Sequence, residues 1–239
     1  MKSDSDSALE ADYRVLHKNI GITPRRLESL SDSIYAVAMT LLVLDLSLPA
    51  HTGGSQLAND MQHLLPNFIT YALSFMTLGV LWTSHLIQSH WIERLSRPYI
   101  WMKIVFLMFI VLIPFSTQIL SAYGNDRLGV VMYGLNYLIC VGFLLLLWTY
   151  ATNEHRLVRR DLSAHVITWV KARMVIATAL AIVALIVALI STRAGAAFFI
   201  VAQILMVLPT ISIDKIVTRI GPRLQHDAGS VISSRKSQQ

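Results

Sequence analysis

Long apolar runs alternate with short polar joints along most of this chain. Stretches such as Ile104–Gly124 and Met174–Thr192 contain no Asp, Glu, Lys or Arg. A helix that crosses a membrane needs about 20 mostly apolar residues. Six runs reach about that length: 30–49, 65–88, 99–121, 128–152, 169–191 and 195–214. Turn residues mark the joints: Pro49 to Pro66 with Gly53-Gly54, Ser96-Arg97-Pro98, Gly124-Asn125-Asp126, and Ser191 to Gly195. The pattern predicts an all-α integral membrane protein with six transmembrane helices. It divides the chain into an N-terminal leader over 1–22, a six-helix domain over 23–215, and a polar tail over 216–239. The leader lacks the basic head and apolar core of a signal peptide and reads as mobile.

Composition sharpens this picture. Of the 239 residues, 54% are hydrophobic and 14% charged, against about 25% charged in a soluble domain. A water-soluble enzyme and a disordered chain are both excluded. The single cysteine, Cys140, lies in an apolar run, so neither a disulfide framework nor a cysteine metal site is available. The net charge of +6 invites a nucleic-acid reading until the charges are placed. Eighteen of the 20 Lys and Arg residues fall before span 1, between spans 2 and 3, between spans 4 and 5, or after span 6, counting those just inside the span entries. Only Arg127 and Arg193 fall on the other side. Cytoplasmic loops carry the basic excess, so both termini are expected in the cytoplasm. Basic residues there also suit anionic lipid.

Span 1 is the unusual one. Thr23-Pro24 is a good helix start and Pro49 a natural stop, which predicts a helix of about 25 residues at one residue per 1.5 Å. Within it or at its edge lie Arg26, Glu28, Asp32 and Asp45. Ionisable groups at such depth face protein or water and point to function. At about 100° per residue, with Val37 at zero, Leu44 falls at roughly −20°, Leu41 at roughly +40° and Thr40 at roughly −60°. Leu30, Leu48 and Ser33 join this mostly apolar stripe. Asp32 falls at roughly 220° and Ser31 at roughly 120°, away from it. Periodicity leaves two arrangements equally open. Either the stripe lines a pore and Asp32 points into the bundle, or the stripe faces lipid and Asp32 faces the core.

Asp32 needs donors in either case. Span 2 offers Trp82 and His85, three residues apart and so on one helix face. Arg26, nearly two turns before Asp32, could reach neighbouring acids or carbonyls. Such donors would satisfy Ser31 and Asp32 and lock span 1 against span 2. The plainer alternative leaves His85 near the cytoplasmic interface.

These residues resemble the first-helix signature of the transmembrane protein 175 family of potassium channels. The resemblance rests on Arg26-x-x-x-Leu30-Ser31-Asp32, then Ala36-x-x-x-Thr40-Leu41-Leu42-Val43-Leu44-Asp45 and Pro49. Gly79-x-x-Trp82-x-x-His85 in span 2 and Leu112-Ile113-Pro114-Phe115 with Thr117 in span 3 extend it. Spans 4 to 6 match only in number and hydropathy. Leu30 stands where the family has phenylalanine, and Lys103 stands near a position usually held by asparagine. That lysine would either join the polar network or snorkel to the interface.

The resemblance implies a prokaryotic plasma-membrane protein with one six-helix repeat per chain. It implies a homotetramer whose four first helices line a central pore for potassium, with no cofactor and no bound metal beyond potassium passing near Thr40. Carried over by position, Val37, Thr40 and Leu44 face the pore, on the stripe found from helical angles. Val37, Leu41 and Leu44 would then form an apolar constriction and gate, and Thr40 the selectivity ring. Arg26, Ser31, Asp32, Trp82, His85 and Lys103 would form a structural polar network behind it. The expected function is passive conduction with modest preference for potassium over sodium.

The rival reading is a proton-coupled cation transporter using Asp32, Asp45 and His85. Against it, no inverted repeat or glycine-broken helix pair is evident. A membrane enzyme would need a nucleophile or metal cluster. The closest histidine pair, His85 and His90, does not share a helix face. A noncatalytic assembly protein would leave Arg26, Asp32 and Asp45 costly without purpose.

Overall fold

The computed structural model describes residues 23–46, 57–124, 126–191 and, beyond them, 194, 195, 197, 198 and 201, with Asp45 and 57–63 followed by backbone alone. The leader, the tail and nearly all of the sixth predicted span lie outside the described residues.

Helix α1 runs Pro24–Leu41 and continues as a 3-10 turn, Leu42–Asp45. Helix α2 is Leu57–His90, α3 Arg97–Tyr123, α4 Arg127–Thr152 and α5 Ala164–Ile190. All five are long and apolar enough to cross a membrane, and the chain is a multi-pass membrane protein.

Local chemistry explains the starts. Thr23 caps α1 by accepting from the Arg26 N–H, Ser96 caps α3 at Tyr99, Asp126 caps α4 at Leu128, and Ser163 caps α5 at Val166. Short oxygen side chains at this position satisfy backbone donors that the helix itself leaves free.

Two boundaries differ from the sequence expectation. Pro66 does not end the joint before α2 but lies inside that helix. A proline costs one backbone bond, and in a membrane helix nearby hydroxyls and neighbours offset the loss. Thr70 donates to the Pro66 carbonyl at 3.0 Å. Helix α1 stops short of the expected 25 residues, because its last turn tightens and Leu46 leaves helical geometry at φ −85°, ψ 62°. Its α and 3-10 parts together still reach about 35 Å, enough for a hydrocarbon core of about 30 Å.

Helix α4 sits between α3 and α5. Ala177, Ala181, Ala184 and Ala188 of α5 are buried, and such small residues let helix backbones approach closely. Polar groups tie the rest. Thr77 of α2 meets the Tyr133 hydroxyl of α4 at 3.0 Å, Gln88 donates to the Leu144 carbonyl at 3.2 Å, and Asn136 donates to Ser116 at 3.0 Å. Bonds of this kind between membrane helices contribute about 0.6–2 kcal/mol each.

The α2–α3 and α4–α5 connections pair with each other. Glu93 and Arg94 both donate their N–H groups to the Leu157 carbonyl, and the Arg159 N–H donates to the Trp91 carbonyl. Arg159 also lies 3.7 Å from Glu93 and 3.0 Å from Asp161. The Arg159 hydrogen bond holds the exposed Asp161 carboxyl below its ordinary pKa. These two connections therefore share one end of the bundle, the arrangement that the distribution of basic residues requires.

Candidate functional site

Helix α1 has two unlike faces. Leu27, Ser31, Tyr35, Ala38 and Leu42 are buried, at spacings of three and four that keep one face against α2 and α3. The Ser31 hydroxyl is fully buried and donates to the Leu27 carbonyl of its own helix at 2.9 Å. Beside this face, Trp82 Nε1 of α2 donates to Asp32 Oδ1 at 2.9 Å. A donor bonded to an ionised carboxylate makes one of the stronger hydrogen bonds, and this one ties α1 to α2.

His85 does not join Asp32, as the sequence reading had it; it meets Lys103 of α3 instead. Lys103 Nζ and His85 Nε2 are hydrogen-bonded, and both residues are buried, at 3% and 0% exposure. Ser89 Oγ lies 3.1 Å from the same imidazole nitrogen. Lys103 is therefore drawn into the network rather than snorkelling to the interface. The His85 ring packs between Tyr35 of α1, centroids 5.8 Å apart, and Phe106 of α3, at 6.2 Å. Helical spacing put His85 on the same face as Trp82 and so suggested it for Asp32, but a one-turn offset between neighbouring helices is invisible to periodicity.

Arg26 is exposed in the first turn, where its backbone N–H is bonded to Thr23. Its side chain has no partner among the described residues, so it lies outside the cluster formed by Asp32, Trp82, His85 and Lys103. Tyr35 was not singled out in the sequence. The signal was available, since it lies on the Ser31–Ala38–Leu42 repeat opposite the stripe.

The opposite face of α1 is left exposed by the described residues. Val37 is 54% exposed, Leu44 70%, and Leu41, Thr40, Ser33 and Leu30 are exposed as well. Thr40 donates its hydroxyl proton to the Val37 carbonyl at 2.8 Å. With that proton committed, the Thr40 oxygen has only acceptor lone pairs left to offer a neighbour. Among the described residues no group of His, Cys, Asp and Glu could hold a metal ion.

A multi-pass helical bundle whose first helix is anchored by a buried polar cluster and leaves an apolar, hydroxyl-bearing face uncovered has the makings of an assembling membrane protein. Residues 26–114 match the family described as "Endosomal/lysosomal potassium channel TMEM175". A protein named as a potassium channel in Streptomyces collinus is 29% identical over 55% of this chain and 66% of its own length. Another so named, in Chamaesiphon minutus, is 27% identical over 59% of this chain and 71% of its own. An avian relative from Gallus gallus, named an endosomal/lysosomal proton channel, is 29% identical but only 22% of its length is spanned. Among solved folds, a TMEM175 homologue from Chamaesiphon minutus described as a lysosomal potassium-selective channel superposes with a TM-score of 0.70. It is 23% identical, over 78% of this chain and 97% of that one. A T38A variant of the potassium channel MtTMEM175 superposes at 0.54 with 19% identity, over 81% and 93%. The chain is thus similar to the TMEM175 family over residues 26–114, within α1 to α3, and shares the fold of its solved members.

Proposed function

We propose that this protein is a potassium channel of the prokaryotic plasma membrane, a homotetramer with both termini in the cytoplasm and four α1 helices around a central pore. The observation that carries this reading is the stripe of Val37, Thr40, Leu41 and Leu44, opposite the anchored face of α1, which the described residues leave exposed. One first helix encloses nothing, whereas several brought together by these faces enclose a narrow apolar tube. The relatives' names favour potassium as the permeant ion, and the sequence contains no Thr-Val-Gly-Tyr-Gly filter.

Rings of Val37, Leu41 and Leu44 form a constriction that hydrated ions cross only when it wets or widens. Thr40 supplies the one ring of oxygens within it. Four such oxygens replace part of a hydration shell, and potassium surrenders its waters more readily than sodium. Selectivity is therefore modest and resides in Thr40. The sixth predicted span completes the repeat, and no cofactor takes part in conduction.

Replacing Thr40 by alanine removes the oxygens and leaves the apolar rings. The expected result is a lower potassium-to-sodium permeability ratio, read as a shifted reversal potential under bi-ionic conditions. A reversal potential equal to that of the wild type would remove Thr40 from the filter.

A further inference from the structure

Lys103 and His85 are the one pair of buried basic side chains bonded to each other among the described residues, and their chemistry limits how many protons they hold. Lysine as an ammonium has donors and no acceptor, so the bond to His85 Nε2 needs that nitrogen unprotonated. If the proton sits on the imidazole instead, the amine must be neutral to accept. In either state the pair carries a single charge. A second proton leaves two cations face to face, each without an acceptor in the other.

Every element around the pair bears on that balance. From α1, Glu28 and Asp32 act on Lys103 electrostatically, and Tyr35 packs on the imidazole. From α2, Ser89 reaches His85 Nε2 and is a weak alternative acceptor. From α3, Phe106 stacks on the ring, and from α4, Cys140 faces Tyr35. A small cleft beside this cluster is lined by Glu28, Ser89, Tyr99 and Lys103, with Ile92 and Leu95 of the α2–α3 connection.

We infer that Lys103 is a positioning residue for the pore helix, holding α1 through a bond with His85 that cytoplasmic protons break. The inference rests on the channel reading above. Acid from the basic-loop side adds the second proton, the two cations part, and the imidazole that supports Tyr35 moves. Helix α1 then loses part of its inner anchor and conduction falls. An asparagine at position 103 would carry both a donor and an acceptor, so it would bond His85 in either protonation state and be indifferent to pH.

The test is potassium current across excised patches or planar bilayers, with the cytoplasmic side taken from about pH 8 to about pH 4.5, a span that reaches below the ordinary histidine range. Wild-type current is expected to fall by roughly fivefold or more, the lower end of ordinary coupling between sites. Lys103→Asn is expected to conduct with a flat profile over the same range. His85→Asn, which keeps an acceptor for the lysine, is expected to be flat as well and decides the matter should Lys103→Asn fail to assemble. A wild-type current indifferent to cytoplasmic pH, or an undiminished pH step in either assembled variant, overturns the inference while leaving the channel intact. Absence of potassium current in the wild type at every pH would instead overturn the channel reading itself.

Discussion

Leu44→Ser is expected to raise potassium conductance by roughly tenfold, the factor that corresponds to about 1.4 kcal/mol of barrier. Leu44 is 70% exposed and lies about two turns beyond Val37 on the same stripe. In a tetramer with α1 at its centre, the Leu44 side chains meet near the end of the tube where the helix tightens into its 3-10 turn. Water leaves an apolar ring of this kind, and an ion pays the dehydration cost of crossing it. A hydroxyl in each position keeps the ring wet. Single-channel recording, or potassium flux into liposomes at matched protein density, measures the change. A conductance that does not move places Leu44 against lipid instead.

Asp32→Asn acts on assembly. The charged acceptor of the Trp82 bond becomes a neutral one, and one of the two acids acting on Lys103 disappears. Hydrogen bonds to charged groups contribute about 1.5–3 kcal/mol against about 0.5–1.5 for neutral ones. A loss of about 1–2 kcal/mol changes an equilibrium by roughly five- to thirtyfold. The expected outcome is a correspondingly lower yield of tetramer by size-exclusion chromatography with light scattering, with the permeability ratio of the surviving tetramer unchanged. Trp82→Phe removes the same bond from the other side. The double variant should then cost less than the two singles together, as partners in one contact do. A normal tetramer from Asp32→Asn would contradict the anchoring role.

Much of this architecture was legible in the sequence because the membrane imposes a length rule that hydropathy reports directly. Spans 2 to 5 coincide with α2 to α5 apart from their ends. The ends were missed where the local signal misled: Pro66 looks like a joint in sequence, yet a membrane helix accommodates it, and α5 starts at Ala164 because Ser163 caps it. In α1, helical angles separated the stripe of Val37, Thr40 and Leu44 from Ser31 and Asp32. The structure puts these on the exposed face and on the anchored side respectively. Angles could not say how α2 and α3 slide along one another. That offset decides that Trp82 meets Asp32 while His85 meets Lys103. The isolated position of Arg26 has the same origin, since its reach depends on neighbours that no periodicity encodes.

The most direct test of the central claim uses the fact that the chain has one native cysteine, Cys140, and that it is buried. Val37→Cys places a thiol on the exposed stripe of α1. Potassium flux is measured in liposomes holding this variant before and after complete reaction with a positively charged thiol reagent, with the wild type as control. A pore lined by α1 predicts that modification abolishes flux in Val37→Cys and leaves the wild type unchanged. Full flux through completely modified Val37→Cys protein would show that ions pass elsewhere.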